Sequence, residues 1–132
     1  MKYPPYRTPV LLAGLWLLAW SGPLGAEGDP ARGERAFQRC YACHSLDPTE
    51  SNLQGPTLKG VIGRRAGTLE RYEYSEAMVE AGRNGLIWTE ETLDAFVTDP
   101  LVLIPGTNMA PMRIIDPGER ADLIAYLKRA AR

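Results

Sequence analysis

Hydrophobic side chains recur every three to four residues in several short stretches of the chain, and the clearest of these stretches lies at its C-terminal end. The apolar stripe of that stretch comprises Leu123, Tyr126, Leu127 and Ala130. Asp116, Pro117 and Glu119 stand before the stripe in an order that resembles a capping box, a common signal for the start of a helix. The pattern therefore predicts a C-terminal helix that begins just after Asp116.

A second helix is predicted near residue 30, because Asp29 is a good N-terminal cap and Pro30 suits the first helical position. One face of this helix carries Gly33, Phe37 and Cys40. A glycine on that face lets another helix approach closely, and the C-terminal helix, with Tyr126 on its apolar stripe, is the natural candidate. We therefore expect these two helices to cross at the glycine.

Two more helices are predicted in the middle of the chain. The stretch "YSEAMVEAGRNG" starts a short helix after Ser75 that ends near Gly82. The stretch "WTEETLDAFVTDP" starts another with Thr89 as its cap, and this helix stops before Pro100. Its apolar residues are Leu93, Phe96 and Val97. Because no stretch alternates convincingly with the period of a strand, the predicted fold class is all-α, with short helices joined by loops rich in Gly and Pro.

The N-terminal region has a different pattern. Lys2 and Arg7 precede the apolar run "PVLLAGLWLLAW", and "SGPLGA" then supplies helix-breaking and small residues up to Ala26. This order is typical of a secretory signal, and the run is shorter than the roughly 20 residues that span a membrane comfortably. We predict that residues 1–26 are a signal peptide and that residues 27–132 form a single domain. An uncleaved signal would instead tether the domain to the membrane.

The charge of the chain argues against nucleic-acid binding. The formal net charge is −1, and removal of residues 1–26, which hold two cations and no acidic residue, lowers it to −3. Nucleic-acid-binding domains usually show a basic patch or stripe. The acidic net charge of this domain therefore disfavours a nucleic-acid partner. Export through the predicted signal places the mature protein in the periplasm.

The stretch "RCYACHS" at residues 39–45 holds both cysteines of the chain, three residues apart, and its single histidine. A disulfide scaffold is disfavoured, because one bridge across so short a loop restrains the unfolded chain very little. A structural zinc site normally has four Cys or His ligands, and the chain offers no further ones. A thioredoxin-like dithiol belongs at a strand-to-helix junction, which the surrounding residues do not show.

Covalent haem attachment remains, and the C-x-x-C-H spacing suits it for geometric reasons. Cys40 and Cys43 lie on one turn, so each thiol can add to a vinyl group of the same porphyrin. The adjacent imidazole of His44 then reaches the iron from that face. We predict one haem c, attached through two thioethers, with the short helices wrapped around it.

The ligand on the other side of the iron follows only in part by elimination. With a single histidine in the chain, the sixth position holds a methionine, a rarer ligand such as a lysine, or no protein ligand. Met78 lies inside the predicted helix after Ser75 and is interpreted as core filler. Met109, in the loop "IPGTNMAP", is better placed to reach the iron, and Met112 is its local competitor.

Taken together, these motifs resemble those of the class I c-type cytochromes, the family of mitochondrial cytochrome c and its bacterial periplasmic relatives. The resemblance covers essentially all residues after the signal. C-x-x-C-H is followed, in the family's order, by "GPTLKGVIGRRAG", "YSEAM", "WTEETLDAFVTDP", "IPGTNMA" and "ERADLIAYLK". This resemblance implies the cytochrome c fold and a monohaem one-electron carrier that cycles between ferrous and ferric iron.

The resemblance also implies roles for individual residues. Cys40 and Cys43 would form the thioethers. His44 would be the proximal iron ligand and Met109 the distal one. Pro56 would hold a ring nitrogen of His44 through its backbone carbonyl, which fixes the tautomer and the ligand strength. The residues implied to hydrogen-bond or neutralise the buried haem propionates are Arg64, Tyr74, Trp88 and Thr107.

One departure from the family concerns the methionine ligand. Phe96 stands where many members have a tyrosine whose hydroxyl approaches the methionine sulfur. That hydrogen bond is therefore expected to be missing, and the ligand field and the reduction potential are expected to differ accordingly.

A second departure concerns partners. Around the expected haem edge, Leu101, Val102 and Asn108 stand at positions that are often lysine in the mitochondrial proteins. An apolar patch there suits transient docking of a redox donor and acceptor onto a monomer better than strong electrostatic steering. The alternative is that Leu103 and Ile104 of the same stretch are simply core residues.

Two other functions are weighed beside the electron carrier. A haem enzyme or gas sensor needs an open or labile sixth position and, for peroxide chemistry, a distal acid–base group, for which no second histidine exists. A membrane-tethered carrier or a subunit of a larger oxidoreductase would keep the residues before Glu27. The soluble carrier is the predicted function, and the chain is not predicted to be an enzyme.

Overall fold

Five α-helices and one 3₁₀ turn are joined by loops in residues 27–50, 53–110 and 112–130, the parts of the chain that the computed structural model describes. In chain order they are α1 (Pro30–Phe37), the 3₁₀ turn (Cys40–Ala42), α2 (Glu76–Arg83), α3 (Glu90–Thr98), α4 (Pro100–Leu103) and α5 (Pro117–Ala130). Extended pairing in these ranges is limited to an isolated antiparallel bridge between Arg65 and Ile87. The predicted all-α class is confirmed, whereas the predicted signal peptide, residues 1–26, lies outside the described residues.

The N-terminal caps predicted for α1, α2 and α3 are Asp29, Ser75 and Thr89, and all three form. Each side-chain oxygen accepts a hydrogen bond from a backbone N–H of the first turn, at 2.8, 3.3 and 3.2 Å respectively. At the start of α5, Asp116 accepts from the Gly118 N–H at 2.7 Å. Such bonds satisfy N–H groups that have no partner within the helix, which is why these short helices begin where the sequence indicates.

The end of α1 differs from the prediction. The helix stops at Phe37, so Cys40 does not continue its face but begins the 3₁₀ turn. At the end of α1 the Gln38 N–H donates to the Arg35 carbonyl at 3.2 Å, a bond three residues back rather than four. This tighter hydrogen bonding closes the α-helix one turn before the cysteine motif.

Helix α4 was not predicted. α3 ends before Pro100 as expected, but Asp99 then caps a new helix by accepting a hydrogen bond from the Leu101 N–H at 3.2 Å. The cue is the Asp-Pro pair, the same signal that begins α1 and α5. In this stretch the proline both ends one helix and occupies the first position of the next.

Helices α1 and α5 cross in close contact at Gly33. A Cβ at this position would overlap the carbonyl oxygen of Asp122 and would lie 2.7 Å from the Cβ of Tyr126. Beside the crossing, the buried ring of Phe37 packs against the ring of Tyr126, with centroids 5.4 Å apart. The expected crossing is therefore present, and it depends on glycine because two backbones meet without space for a side chain.

A buried carboxylate reinforces this crossing. Asp122 of α5 accepts hydrogen bonds from the Asp29 N–H at 2.6 Å and from Nε and Nη2 of Arg32 at 2.6 and 2.9 Å. The Arg32 hydrogen bond, followed by that from the Asp29 backbone, holds the pKa of Asp122 below its usual range. The ionised carboxylate thus ties the start of α1 to the middle of α5.

Replacing Asp122 by Asn is expected to make the protein less stable at neutral pH, because the amide accepts the Asp29 hydrogen bond but no longer pairs with Arg32. A carboxylate with a depressed folded-state pKa stabilises the fold above its unfolded pKa of about 3.9 and loses that contribution as the pH falls through the folded value. The gap in stability between the two proteins should therefore begin to narrow below about pH 3.9 and should close as the pH falls through the lower folded-state pKa of Asp122. Denaturant unfolding of both haem-loaded proteins over a pH series measures this, and a constant gap between them would contradict it.

The hydrophobic core is formed by residues of α1, α2, α3, α5 and the loops between them. The rings of Trp88 and Phe96 pack inside it with centroids 5.0 Å apart. Met78 of α2 is buried, which agrees with its interpretation as core filler. Three half-buried residues of the predicted site pack against this core, namely Cys40, Tyr74 and Met109.

Candidate haem site

The two cysteines lie at the start of the 3₁₀ turn and directly after it. The N–H groups of Cys43 and His44 both donate to the carbonyl of Cys40, at 3.0 and 2.8 Å, which winds the motif into one tight turn. Both thiols are free, and burial raises the pKa of Cys40 to about 11. A raised pKa is the opposite of the lowered pKa that activates the nucleophilic thiol of a redox-active dithiol, so Cys40 does not suit that role.

The imidazole of His44 is held by Gly55 and Pro56. Its Nδ1 lies 2.8 Å from the Pro56 carbonyl oxygen, so Nδ1–H donates and Nε2 carries the lone pair. Burial lowers the pKa of His44, against the smaller opposite effect of this hydrogen bond, which favours the neutral ring. A Cβ at Gly55 would lie 2.5 Å from Cε1 and 2.7 Å from Nδ1 of the ring. The imidazole is therefore fixed with Nε2 free to bind a metal.

Three of the four predicted propionate partners are brought together. The Trp88 N–H donates to the Arg64 carbonyl at 2.9 Å, which joins the two backbones. Burial lowers the pKa of the half-buried Arg64 guanidinium, with a smaller opposite effect from the nearby Tyr74. Burial also raises the pKa of Tyr74, with Arg64 acting in the other direction. A half-buried guanidinium and a half-buried phenol that interact electrostatically suit a ligand that carries negative charge.

Thr107, the fourth of these residues, lies in the Met109 loop. Its buried hydroxyl accepts a hydrogen bond from the Met109 N–H at 3.3 Å, and its own N–H donates to the Ile104 carbonyl at 3.1 Å. Gly106 turns the chain with φ at +89°, a conformation that favours glycine. Met109 packs against the core, while Met112, its predicted competitor, is half-buried in the stretch that leads to α5.

These residues fit a covalently attached haem. Two free thiols lie on one turn, and the adjacent imidazole presents an unprotonated Nε2. The missing side chain at Gly55 leaves the space that this imidazole occupies. Because Cys40, Tyr74 and Met109 contact the same core, the predicted thioether, propionate and second-ligand positions border a common region.

Comparison with known proteins identifies the family. The family model described as cytochrome c matches residues 30–131. The chain belongs to the cytochrome c family. Membership confirms the resemblance to class I c-type cytochromes, the cytochrome c fold and the haem c attached through two thioethers, and it agrees with the predicted function of a monohaem electron carrier.

Proteins similar to this cytochrome include several called cytochrome c2. It is 50% identical over 101 residues to cytochrome c2 of Agrobacterium tumefaciens (strain II Chrys), and the aligned region covers 76% of this chain and 91% of the relative. It is 41% identical over 119 residues to cytochrome c2 of Blastochloris viridis, and the aligned region covers 90% of this chain and 91% of the relative. The solved structure of cytochrome c2 from Rhodospirillum centenum matches 80% of this chain and 100% of its own length, with a TM-score of 0.74 and 39% identity.

A residue of this cytochrome that the sequence did not single out, Arg120 of α5, supports the stretch after Met109. Its Nη1 donates to the carbonyls of Ile114 and Ile115 at 3.0 and 2.8 Å. Its Nε donates to Asp94 Oδ1 of α3 at 2.7 Å. The arginine therefore holds the end of the methionine loop between α3 and α5. No local sequence signal reveals this role, because the Asp94 partner lies 26 residues away.

Proposed function

We propose that this cytochrome is a periplasmic one-electron carrier in which His44 and Met109 bind the iron of the haem. Cys40 and Cys43 would form its two thioethers. The observation that carries the proposal is the 2.8 Å hydrogen bond between His44 Nδ1 and the Pro56 carbonyl. It commits one ring nitrogen and leaves Nε2 of a neutral imidazole beside the two thiols. The bound haem supplies the one-electron couple of ferrous and ferric iron, and a methionine ligand raises its potential.

Arg64, Tyr74, Trp88 and Thr107 are proposed to hold the haem propionates. Burial of a carboxylate without hydrogen-bond donors is strongly unfavourable, so a buried propionate needs such partners. The Arg64 guanidinium uses Nη2 on the Thr57 carbonyl, at 3.0 Å, and has further N–H groups for an anion. The phenol of Tyr74 is a second donor, and its electrostatic interaction with Arg64 supports a shared role.

The proposed ligands favour an electron carrier over a haem enzyme or gas sensor. With His44 and Met109 both bound, no open position remains on the iron for a substrate. His44 is the single histidine of the chain and its Nδ1–H is committed to Pro56. A distal histidine that acts as an acid or base in peroxide chemistry is therefore not available.

Absorption spectra of the haem-loaded protein test this proposal. The ferric form should show the weak charge-transfer band of methionine-bound iron, and the ferrous form should not bind carbon monoxide. Rapid binding of carbon monoxide without the band would overturn the carrier proposal and favour the enzyme or sensor.

The periplasmic location and the monomeric state are part of the proposal. The predicted signal at residues 1–26 supports export. Within the described ranges, no helix has the length and apolar character needed to cross a membrane. The mass of the mature protein distinguishes the alternatives: a chain that starts at Glu27 supports cleavage, and a mass that includes residues 1–26 supports a membrane tether.

We further propose that α4 and the stretch before α5 form an apolar docking face for redox partners, consisting of Leu101, Val102 and Ile115. Their exposed fractions are 42%, 78% and 72%. The core alternative, which concerned Leu103 and Ile104, agrees with the structure, because Ile104 is only 3% exposed and Leu103 is partly buried against the core. Exposed apolar side chains of this kind suit brief contact over a small area.

Two cations next to this docking face, Arg113 and Arg120, are paired with carboxylates within the protein. Arg113 pairs with Asp99 at 2.8 Å, which also holds the stretch before α5 beside the start of α4. Arg120 pairs with Asp94 at 2.7 Å. Since each of these cations has an acidic partner, the docking face offers little unpaired positive charge for long-range steering.

Replacing Val102 by Lys is expected to slow electron self-exchange between ferrous and ferric copies of the protein by about fivefold at low ionic strength. When two copies meet through the docking face, the added like charges repel by about 1 kcal/mol at contact in water. Added salt should restore the rate, because it screens exposed charges. NMR line broadening in mixtures of the two oxidation states measures the exchange rate.

The matched control is Ile87→Lys, at another exposed isoleucine in the loop between α2 and α3. It adds the same charge away from the docking face, so its self-exchange rate should stay near that of the unmodified protein. Equal slowing in both variants would assign the effect to overall charge and contradict the proposed face.

A further inference from the structure

Tyr72 lies in the loop between the 3₁₀ turn and α2 and reaches across to the segment that holds His44. Its hydroxyl donates to the Gln54 carbonyl at 2.6 Å. Gln54 directly precedes Gly55 and Pro56, the two residues that contact the imidazole. The roles proposed so far do not include this tyrosine.

Tyr72 also lines an open cleft beside the segment that holds His44. The cleft has a volume of about 410 Å³, and its lining consists of Pro48, Glu50, residues 55–57 and residues 68–72. Where Gly55 and Pro56 line the cleft, the segment that holds the imidazole has no close packing against other residues. The Tyr72 ring is itself supported, since it packs edge-on against Tyr74 with centroids 4.7 Å apart.

Residues 54–56 are also hydrogen-bonded to the cysteine motif. A shift of the Gln54 carbonyl is therefore transmitted to His44. The Gly55 N–H donates to the Cys43 carbonyl at 2.8 Å. The Gly55 backbone lies so close to the His44 ring that a Cβ there would be 2.5 Å from Cε1. The next carbonyl, that of Pro56, accepts the Nδ1–H hydrogen bond. A displaced Gln54 carbonyl therefore moves atoms in direct contact with the imidazole.

We propose that Tyr72 is a positioning residue that sets the His44–Pro56 hydrogen bond and thereby tunes the reduction potential of the iron. This inference rests on the proposed function, because it requires His44 as an iron ligand. Hydrogen bonding to Nδ1–H makes the imidazole a stronger ligand, which favours ferric iron. Weakening that bond should therefore raise the potential.

The test is Tyr72→Phe, which keeps the ring and removes the hydroxyl. In the ferrous haem-loaded protein, exchange of the His44 Nδ1 proton with solvent should become about fivefold faster, the factor that corresponds to a typical net hydrogen bond. The reduction potential should rise in the same variant. NMR of ¹⁵N-labelled protein measures the exchange rate, and voltammetry measures the potential.

Thr68→Val is the matched control. The Thr68 hydroxyl donates to the Arg65 carbonyl at 2.8 Å, a bond within the same loop that does not involve residues 54–56. This variant loses a comparable hydrogen bond, so a general loosening of the loop would change both variants alike. Faster exchange and a raised potential in Tyr72→Phe alone support the positioning role. Wild-type values in Tyr72→Phe, or equal changes in both variants, would overturn it.

Failure of the proposed function is recognised separately in the unmodified protein. If His44 binds the iron, its ring protons in the ferrous protein are shifted strongly by the haem ring current. Ordinary shifts for those protons would overturn the ligand assignment and the tuning of the potential together. Shifted protons with no response to the loss of the Tyr72 hydroxyl would overturn the positioning role alone.

Discussion

Met109→Ala is expected to open the sixth position of the iron. The methionine-to-iron charge-transfer band should disappear from the ferric spectrum, and the ferrous protein should bind carbon monoxide. The reduction potential should fall by on the order of 100 mV, within the range of about 0.8 V that axial ligands span, because a thioether favours ferrous iron. Absorption spectroscopy and voltammetry of the haem-loaded variant measure these changes.

Met112→Ala is the control for this prediction, since Met112 is half-buried and only three residues away. It should keep the charge-transfer band and a potential close to that of the unmodified protein. The opposite pattern, with the band lost in Met112→Ala and kept in Met109→Ala, would transfer the ligand role to Met112. The hydrogen bond that fixes the Met109 backbone to the Thr107 hydroxyl favours the first outcome.

Gly33→Ala is expected to reduce the free energy of unfolding by about 3 kcal/mol or more, at the upper end of the usual range for overpacking. The added methyl group would overlap the Asp122 carbonyl oxygen and approach the Tyr126 Cβ to 2.7 Å. Neither neighbour can yield easily, because one is helix backbone and the other carries a ring packed on Phe37. α1 and α5 must therefore separate. Denaturant unfolding of the haem-loaded variant measures the loss.

Gly118→Ala provides the matched control in the first turn of α5. A Cβ there would meet the Asp116 side chain at 3.1 Å, and the residue is exposed. Its effect on the free energy of unfolding should stay within about 1 kcal/mol, because the gain in helix propensity is of that size. Equal stability of Gly33→Ala and the unmodified protein would contradict the close crossing.

The helix starts were predictable because a cap and its partner are only two or three residues apart. Asp29, Ser75 and Thr89 all cap as the sequence indicates. Helix α4 was missed although its Asp-Pro cue was present, because the proline was interpreted only as the end of α3. Termination of α1 before Cys40 depends on how the last turn tightens, which helical spacing alone does not indicate.

In the haem site, too, the features that the sequence predicts depend on local contacts, and those that it does not predict depend on distant ones. Attachment of haem at C-x-x-C-H depends on the spacing of three side chains in one turn, and the sequence predicts it directly. Tyr72 and Arg120 carry no such signal, because their hydrogen-bond partners lie 18 and up to 26 residues away. Gly55 begins the stretch "GPTLKGVIGRRAG" that carries part of the family resemblance, but nothing in the sequence indicates its contact with the His44 ring.

By itself the sequence determined the family, the cofactor, the starts of α1, α2, α3 and α5, and the choice of glycine at the α1–α5 crossing, because these follow from short-range spacing and from side-chain chemistry. The tertiary structure decided which nitrogen of His44 is committed, since the Pro56 carbonyl reaches Nδ1 from 12 residues away. It also decided which apolar residues of α4 face solvent. Both outcomes depend on how segments that are distant in the sequence pack against one another, and residue spacing does not predict such packing.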